Sequence, residues 1–308
     1  MTTNILVTGG SGFIGSHLVD LLLIDGNSVT VIDNLSTGLR ENENKNAKYI
    51  HKDIKSFIDN PNDLIDIINL HDIEIIYHLA ASADVYLSVN YPEKVYEVNL
   101  LSSIAIANAC SNTSVSKLIF ASTSAVYGEP EYLPVDENHP TSPVSPYGLS
   151  KLGFEQYLKY HSMVSDKEYV IFRLPNVFGP RQRPDLEGGV IAIFENLIRN
   201  DEEISFYGDG SQTRDWVHVD DVVKAFCLAK GFKKDFEIFS LGSEVQTSLN
   251  QLYKYLLELT DYKKKPIFLK ERSGDIKHMV MSYKNVNKAL NWKPIITLKD
   301  GLVNLINN

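Results

Sequence analysis

A short glycine-rich segment near the start of the chain restricts its fold more than any other feature. In NILVTGGSGFIGSHL, Gly9, Gly12 and Gly15 stand between an apolar run typical of a buried strand and a stretch with helical periodicity. Glycine at this spacing permits a tight turn and lets the backbone approach a diphosphate closely. The following helix would direct the free N–H groups of Phe13 and Ile14 toward that anion. The segment therefore predicts a dinucleotide-binding fold.

Asp33 supports this interpretation, because it closes the second predicted strand, SVTVIDN, about 20 residues after the glycines. A carboxylate there can accept hydrogen bonds from both hydroxyls of an adenosine ribose, and it would repel a 2′-phosphate. The sequence therefore predicts NAD rather than NADP as the cofactor. The alternative is a structural glycine turn followed by an ordinary aspartate at a strand end.

Strands and helices alternate through the first half of the chain, and the strands are nearly continuous runs of Val, Ile and Leu. This pattern predicts a parallel sheet covered on both faces. The second half is more irregular, which suggests a smaller domain over the strand ends. We expect an α/β fold with a doubly wound, Rossmann-type sheet and a smaller α/β substrate-binding domain. The predicted division gives 1–175 and a returning segment of about 215–240 to the first domain, and 176–214 and 241–308 to the second.

Composition argues against several classes of function. The 308 residues are 44% hydrophobic and 22% charged, which is ordinary for a globular protein. The net charge of −9 argues against a nucleic-acid or membrane-binding surface. Cys110 and Cys227 are the two cysteines and lack disulfide-framework or zinc spacing, so no metal is expected. With no signal-peptide pattern or membrane-length apolar run, we expect a cytoplasmic enzyme or binding protein.

A tyrosine and a lysine in SPYGLSK are candidates for proton transfer. Tyr147 and Lys151 are four residues apart, which places them on one face of a predicted helix. An ammonium group beside a phenol favours the phenolate and lowers its pKa, so Tyr147 can act as a general base near neutral pH. A hydroxyl from the preceding strand end, STS at 122–124, can then bridge substrate and phenol. The alternative is a packed tyrosine and a surface lysine on an amphipathic helix.

Two other strand ends offer weaker signals. Asp53, in KDI, can accept a hydrogen bond from an adenine amino group while Ile54 packs on the ring, although a strand-end cap explains Asp53 equally well. HLAASAD ends the fourth strand with small residues, which suits the close approach of a cofactor. We expect His78 in this segment to be a hydrogen-bonded structural histidine, because no partner ligand lies at metal-binding spacing.

Together these motifs resemble those of the extended short-chain dehydrogenase/reductase family, and within it the UDP-glucose (UDP-galactose) 4-epimerase group. The resemblance covers nearly the whole chain. The segments that carry it are TGGSGFIGSHL, DNLSTG, KDI, HLAA, NLL, STSAVYG, PYGLSK, FRLPNVFGPRQ, GDGSQTRDWVHVDD and ERSGD. The resemblance implies bound NAD and a UDP-sugar substrate.

The resemblance also implies a mechanism. Tyr147 removes the proton of the sugar 4-hydroxyl, hydride passes from C4 to NAD, and the 4-keto sugar turns before hydride returns to its other face. Lys151 would hold the nicotinamide ribose and lower the pKa of Tyr147. Thr123 takes the position of the family's catalytic Ser or Thr, with Ser122 and Ser124 as alternatives. The implied cofactor-binding residues are Gly9, Gly12, Phe13, Ile14, Gly15, Asp33, Asn34, Ser36, Thr37, Gly38, Asp53, Ile54, Leu79, Ala80, Ala81, Ala83, Asn99, Ser122, Tyr147, Lys151 and Pro175.

Ser124 and Ala125 bear on the type of reaction. Sugar-nucleotide dehydratases of this family resemble TDEVYG and UDP-glucuronate decarboxylases resemble TSEVYG, whereas this chain reads TSAVYG. Without a carboxylate here, elimination or assisted decarboxylation lacks an evident acid or base. The motif therefore favours a 4-epimerase acting on UDP-glucose and UDP-galactose. The alternatives are a uronate 4-epimerase, a sugar-nucleotide oxidoreductase, or a non-catalytic dinucleotide-sensing protein on the same fold.

The substrate side is assigned by the same resemblance. Phe206 and Tyr207 would flank the uracil and its ribose, and Arg214 and Arg272 would clamp the diphosphate, for which guanidinium groups are suited. Met279 takes the position of a residue that lines the sugar pocket, and its intermediate size leaves N-acetylated UDP-sugars open. The implied substrate-binding residues are Ser124, Tyr147, Asn176, Gly189, Val190, Phe206, Tyr207, Arg214, Arg272, Asp275 and Met279.

Quaternary structure follows only from the resemblance, which implies a homodimer. The contact would use the helices around Glu93–Cys110 and Gly148–Met163. Apolar residues of these helices could equally belong to the internal core. For Arg214 and Arg272, the two arginines assigned to the diphosphate, the alternative role is a surface ion pair.

Overall fold

The computed structural model describes residues 2–186, 189–271 and 276–307. The strands of these ranges, numbered along the chain, are β1 Asn4–Thr8, β2 Ser28–Asp33, β3 Lys48–His51, β4 Ile75–His78, β5 Lys117–Thr123, β6 Glu168–Leu174, β7 Asn176–Phe178, β8 Ser205–Tyr207, β9 Thr213–Arg214, β10 Trp216–His218, β11 Phe236–Ser240, β12 Thr247–Ser248 and β13 Ile267–Leu269. Most strands are short, as expected where segments cross a compact sheet.

The helices connect these strands. They are α1 Phe13–Ile24, α2 Ser56–Asp59, α3 Pro61–Leu70, α4 Val85–Asn90, α5 Pro92–Tyr96, α6 Ser102–Ser111, α7 Pro146–Val164, α8 Val190–Arg199, α9 Val219–Ala229, α10 Leu249–Leu259, α11 Lys284–Leu290 and α12 Leu298–Asn307. A π-helical turn, Glu97–Leu101, joins α5 to α6, and short 3₁₀ turns occur at Arg40–Asn42 and Ser124–Val126. No helix in the described ranges has the length and apolar character needed to cross a membrane.

The central sheet has seven strands in the order β3-β2-β1-β4-β5-β6-β11, and all neighbouring strands are parallel. The order reverses direction between β1 and β4. In open sheets of this kind, ligands bind in the crevice at the carboxyl ends of the strands near such a reversal. The predicted Rossmann-type sheet is confirmed.

Helices cover both faces of the sheet. On one face, α1 and α9 pack together over a core that includes Val19 and Phe226. On the other face, α3, α6 and α7 pack over a core that includes Ile106 and Phe154. Because every residue of β5 is buried between these layers, its near-continuous apolar sequence is typical of a central parallel strand. The predicted doubly wound arrangement is therefore confirmed.

The smaller domain has a core of its own. Helices α8, α10 and α12 surround an apolar cluster that includes Phe194, Phe206 and Leu252, and the pairs β8–β13 and β9–β12 lie beside it. One part of the predicted division differs. Val286 and Trp292, predicted in the second domain, pack in the core of the first, because the apolar face of α11 lies against α9 and β11.

Candidate active site

The glycine-rich loop between β1 and α1 has the backbone shape of a diphosphate cradle. Gly9 has φ of +77°, and a Cβ atom there would lie 2.7 Å from the amide nitrogen of Ala80. A Cβ atom on Gly15 would lie 2.0 Å from the carbonyl oxygen of Gly9. Gly12, the N-cap of α1, provides no side chain to cap the helix. The N–H groups of the first helical turn therefore face the crevice, as an anion site requires.

Two side chains beside this loop suit a dinucleotide. Asp33, at the end of β2, is buried and accepts hydrogen bonds from the backbone N–H groups of Ser11 (2.9 Å) and Leu35 (2.8 Å). Both bonds hold its carboxylate at the crevice. The buried hydroxyl of Ser11 has no hydrogen-bond partner within the described ranges. An unsatisfied buried hydroxyl next to a helix N-terminus fits a bound phosphate.

The segment after β2 closes around Asp33. A Cβ atom on Gly38 would lie 3.0 Å from Asp33 Oδ1 and 2.9 Å from Cβ of Ser11, so this close approach requires glycine. Asn34 Oδ1 accepts a hydrogen bond from the N–H of Ser36, which shapes the turn. The predicted cofactor residues of this segment, Asn34, Ser36, Thr37 and Gly38, thus lie beside the ribose-binding carboxylate that we predict.

Asp53 and Ile54 differ from each other in their surroundings. Asp53 Oδ1 accepts a hydrogen bond from the N–H of Lys55 (2.9 Å), so this residue does cap a turn, and its carboxylate stays half-exposed. Ile54 is 5% exposed and packs in the core under α3 and α6. Its side chain offers little surface to an adenine ring, and the predicted packing of Ile54 on adenine is not supported by the structure.

The loop after β4 is held close to the glycine loop. The N–H groups of Leu79 and Ala80 donate to the backbone carbonyl (3.1 Å) and hydroxyl (3.3 Å) of Thr8. His78 is fully buried, with its ring nitrogens 2.7 Å from the hydroxyls of Thr8 and Ser103. Burial lowers the pKa of His78 to about 3, so it is a neutral structural histidine, as predicted.

Asn99 anchors this loop to α7. Its Oδ1 accepts from the N–H of Ser82 (2.8 Å), and its Nδ2 donates to the carbonyl of Ser82 (2.9 Å) and the hydroxyl of Ser150 (3.1 Å). Both ends of the amide are therefore bound within the chain. Asn99 is predicted to bind the cofactor, but its hydrogen bonds instead position the loop that contains Ala81 and Ala83.

Helix α7 brings Tyr147 and Lys151 to the end of β5. Ser145 caps the helix by accepting a hydrogen bond from the N–H of Gly148 (3.1 Å), and Pro146 occupies the first helical position. A Cβ atom on Gly148 would lie 2.5 Å from the carbonyl of Ala125, so glycine allows α7 to approach the turn after β5. Tyr147 consequently sits in the first helical turn, next to that strand end.

The side chains at this junction form a compact group. The side chain of Thr123 lies close enough to Tyr147 to lower the pKa of its phenol, and the Thr123 hydroxyl accepts a hydrogen bond from the N–H of Ala125 (3.1 Å). Lys151 is buried, and its Nζ donates to the carbonyl of Ala121 (2.9 Å) and lies 4.7 Å from the centre of the Phe120 ring. The structure thus brings together the three predicted catalytic residues, a hydroxyl, a phenol and an amine.

The pKa shifts of Tyr147 and Lys151 differ from the prediction that Lys151 lowers the pKa of Tyr147. Burial raises the pKa of Tyr147, and the hydrogen bond with Thr123 acts in the opposite direction. Burial lowers the pKa of Lys151 to about 7, opposed by the charge of Glu155. The predicted lowering of the Tyr147 pKa by Lys151 is not found in the protein alone, because desolvation is the larger effect on each group.

The three hydroxyls of the strand end point in different directions. Ser122 donates its hydrogen bond to the buried carboxylate of Glu155, whereas Thr123 reaches Tyr147. Ser124 starts the 3₁₀ turn and is half-buried. The effect of Thr123 on the Tyr147 pKa favours the assignment to Thr123. Ser122 is corrected: its side chain faces Glu155 and is not available to a cofactor.

On the substrate side, several predicted residues lie at the starts of β7 and α8. Asn176 starts β7 directly after the buried Pro175, and its N–H donates to the carbonyl of Asp215 (3.1 Å). Gly189 is the N-cap of α8 and has no capping side chain, and Val190 is the first residue of that helix. The first turn of α8 therefore offers backbone N–H groups to an anion.

Phe206 and Tyr207 are the two aromatic residues predicted to flank the uracil and its ribose, and the structure differs from that prediction at Phe206. Phe206 is fully buried and packs in the smaller domain between Phe194, Tyr253 and Phe268. Its ring therefore cannot flank a uracil, and that prediction is wrong for the side chain. Tyr207, the next residue on β8, points to the other face and is exposed.

Arg214 and Met279 are both hydrogen-bonded to the carbonyl of Thr213. Arg214 lies on β9, and its Nη1 donates to the carbonyl of Thr213 (2.9 Å). Met279 is buried, packs with Val126 and Tyr127 just beyond the catalytic strand end, and its N–H donates to Thr213 (3.2 Å). Arg272 and Asp275 lie outside the described residues.

Sequence reasoning missed two buried acids of this region. Asp215 accepts hydrogen bonds from the N–H groups of Ser243 and Met281, and burial raises its pKa to about 6. Glu155 lies one helical turn beyond Lys151, a spacing that is visible in the sequence. Within the part of the chain that the structure describes, no cluster of His, Cys, Asp and Glu could hold a metal ion.

Comparison with known proteins agrees with this site. The profile of the NAD dependent epimerase/dehydratase family matches residues 5–242. A protein of Methanocaldococcus jannaschii, provisionally named a UDP-glucose 4-epimerase, is 42% identical over 305 residues, covering 98% of this chain and 97% of the relative.

Solved structures extend the similarity to the whole fold. The UDP-glucose 4-epimerase of Thermotoga maritima, solved with UDP-glucose, is 40% identical with a TM-score of 0.95, covering 99% of this chain and 98% of that chain. The UDP-N-acetylglucosamine 4-epimerase of Methanobrevibacter ruminantium, solved with UDP-N-acetylmuramic acid, is 36% identical with a TM-score of 0.92, covering 100% and 98%. The chain belongs to the NAD dependent epimerase/dehydratase family.

Proposed function

We propose that this protein is a NAD-dependent 4-epimerase that interconverts UDP-glucose and UDP-galactose, and that it serves galactose metabolism. The observation that carries the proposal is the contact between Thr123 and Tyr147 at the end of β5, beside the buried amine of Lys151. The glycine loop and Asp33 lie at the same edge of the sheet, since β1, β2 and β5 run parallel. A dinucleotide and a sugar can therefore meet there.

The residues divide the chemistry among them. Tyr147 takes the proton of the sugar 4-hydroxyl and later returns it, while Thr123 hydrogen-bonds to the phenol and orients it. Lys151 would provide a positive group for the nicotinamide ribose. The glycine loop and Asp33 would hold NAD, which when bound supplies the hydride acceptor for C4 and the hydride donor for the return step.

The reaction type is supported by the turn directly after Thr123. This 3₁₀ turn, Ser124–Val126, contains no carboxylate, so an acid–base pair for water loss is lacking at these positions. Epimerisation needs no such pair, because one base and a reversible hydride transfer suffice. The turn lies directly against Gly148, so its residues are close to the proposed base.

A second candidate substrate is a UDP-N-acetylhexosamine. Met279 packs against Val126 and Tyr127, next to the predicted sugar site, and its flexible side chain can adapt to a larger group. The similar enzyme of Methanobrevibacter acts on UDP-N-acetylglucosamine by its name. We propose UDP-glucose and UDP-galactose as the main pair and N-acetylated sugars as additional substrates.

The nucleotide would be held by residues of both domains. We propose that Asn176 contacts a phosphate or sugar oxygen, that the backbone at Gly189 and Val190 contacts the nucleotide, and that Arg214 binds the diphosphate. Tyr207 would flank the uracil. Arg272 and Asp275 are proposed for the diphosphate and the uridine ribose. Fixing the nucleotide in this way leaves the sugar free to turn between the two hydride transfers.

We also propose a homodimer and a cytoplasmic location. Leu101, at the end of the π-helical turn, and Leu149 and Met163 on α7 are exposed apolar residues on the elements predicted to form the dimer contact. Burying them against a second copy would remove apolar surface from water. Cys110 and Cys227 are free thiols, which is typical of proteins in a reducing compartment.

A turnover assay tests the proposal. The purified protein is incubated with UDP-galactose and no added NAD, and the products are separated by ion-exchange chromatography. We expect UDP-glucose to form and the reaction to stop at an equilibrium mixture, because the cofactor is regenerated in every cycle. Net formation of an oxidised sugar, or no conversion with NAD bound, would contradict a 4-epimerase.

A further inference from the structure

Glu155 is a fully buried carboxylate next to the proposed reaction centre. It lies on α7 one turn beyond Lys151. Arg173 of β6 donates to it from Nε (3.1 Å) and from Nη2 (2.6 Å), and the hydroxyl of Ser122 donates to it from β5. One carboxylate therefore joins the helix that carries Tyr147 and Lys151 to the two neighbouring strands.

Such a pair is costly as a purely structural device. Burying two charges carries a large desolvation penalty, and apolar replacements of buried ion pairs are often neutral or stabilising. Arg173 lies 4.8 Å from the centre of the Tyr127 ring, and its Nη1 has no hydrogen-bond partner within the described ranges. Because one nitrogen of the Arg173 guanidinium has no hydrogen-bond partner in the described ranges, tight packing alone does not explain the Glu155–Arg173 pair.

The link through Ser122 bears directly on the catalytic strand end. Ser122 stands between Ala121, whose carbonyl accepts the hydrogen bond from Lys151, and Thr123, which bonds to Tyr147. It is also paired in register with Arg173 on the adjoining strand. Glu155 therefore fixes the segment that positions both functional side chains.

The charge of Glu155 also acts on Lys151. Among the groups around the amine, His78 on β4 is neutral, and Tyr147 on α7 is a neutral phenol. The positive Arg173 is bound to Glu155, and Tyr127 lies on the far side of that guanidinium. Burial lowers the pKa of Lys151, and Glu155 raises it. Glu155, a buried residue one helical turn beyond Lys151, thus favours the ammonium form of that amine.

We propose that Glu155 is a positioning residue: bound by Arg173, it fixes the end of β5 through Ser122 and favours the charged form of Lys151. The inference rests on the proposed function, since it assigns a role to the surroundings of Tyr147 and Lys151. It has two separable parts. Ser122 transmits the positioning, and the carboxylate charge sets the state of the amine.

Two variants separate these parts. Ser122→Ala keeps the charge pair and removes the link, so we expect kcat to fall about tenfold or more with KM and the pH profile unchanged. Glu155→Gln with Arg173→Met removes both charges and keeps similar volumes. For it we expect a lower kcat and a shift of the alkaline limb of the kcat profile by about one pH unit toward lower pH, because the ammonium is lost earlier.

A second ion pair, in which the lysine is buried, serves as the matched control. Lys117 and Glu168 form an ion pair at the opposite end of the sheet, 3.1 Å apart, and take no part in the site. Lys117→Met with Glu168→Gln should lower the thermal stability and leave the pH profile of kcat in place. An equal pH shift in this control, or unchanged kinetics in the Glu155→Gln/Arg173→Met variant, would overturn the proposal.

A titration of Lys151 tests the charge effect without turnover. NMR of protein containing ¹³C-labelled lysine, with the resonance assigned through Lys151→Met, reports the protonation of the amine directly. We expect the Lys151 signal to titrate at lower pH in the Glu155→Gln/Arg173→Met variant than in the wild-type protein. An unchanged titration would overturn the effect of the Glu155 charge on Lys151. Because this measurement needs no turnover, its result does not depend on whether the protein is an epimerase, and failure of either hypothesis can be recognised separately.

Discussion

Thr123 is the residue of β5 that contributes its side chain to the proposed catalytic group. Leu118, Phe120 and Ser122 share one side of β5, and Phe120 packs on α7 in the core of that face. Ser122, which obeys the same alternation, meets Glu155 there. Thr123 is the last residue of the strand, and its side chain reaches Tyr147 where the chain turns. A shift of one position along the strand would exchange these two roles.

Met279 is the residue that we expect to limit sugar size. We predict that Met279→Tyr lowers activity on UDP-N-acetylglucosamine about tenfold more than activity on UDP-galactose, because a bulkier ring next to Val126 and Tyr127 leaves less room for an acetyl group. The measurement is kcat/KM for both substrates. Met279→Leu, of similar volume, is the control and should keep the wild-type ratio. Equal losses on both substrates in Met279→Tyr would remove this role.

At the scale of elements, α7 and β5 build the site and α9 braces the sheet beneath it. Lys117, at the start of β5, is buried, and its Nζ donates to the carbonyls of Ala229 (3.0 Å), Lys230 (2.8 Å) and Phe232 at the end of α9. These are carbonyls that a helix end leaves without partners. The lysine therefore joins the end of the helix to the strand that carries Thr123.

We predict that Lys117→Met lowers the free energy of unfolding by about 2–4 kcal/mol, because it leaves three carbonyls at the end of α9 without their donor and removes the ion pair with Glu168. Urea denaturation followed by circular dichroism measures this value. Lys233→Met is the matched control, since Lys233 is exposed and pairs with the same Glu168 at 3.6 Å. That change should cost less than about 1 kcal/mol. Similar values for the two variants would show that the hydrogen bonds from Lys117 to the end of α9 do not contribute to the free energy of unfolding.

At the scale of the whole molecule, sequence patterns predicted most of the architecture. Buried apolar runs and the glycine loop place β1, β4 and β5 and the crevice at their ends, since such strands are stable only when covered on both faces. Helical spacing predicted that Tyr147 and Lys151 lie together on one helix, which is α7. The return of Trp292 to the first core could not be predicted, because its indole donates to the carbonyl of Asp221, a contact between distant segments.

The errors at single positions share a physical cause. The motifs assign Ile54 and Phe206 to ligands, yet both side chains are needed to fill the cores beneath those motifs. The same kind of reasoning assigns Ser122 to the cofactor, but an unforeseen buried acid on α7 accepts its hydrogen bond. Motifs predict which backbone reaches the site, whereas the side chain's direction depends on the face of the strand and on the neighbouring element.

We propose Tyr147 as the proton-transfer group of a hydride-cycling enzyme. The direct measurement compares Tyr147→Phe with the wild-type protein for conversion of UDP-galactose and for NAD released on denaturation. The matched control is Tyr157→Phe, on the same helix, where the hydroxyl bonds to Asn108 away from the site.

We predict that Tyr147→Phe retains bound NAD and loses conversion by at least about 10²-fold, while Tyr157→Phe keeps both. Turnover of Tyr147→Phe at the wild-type rate would contradict the mechanism.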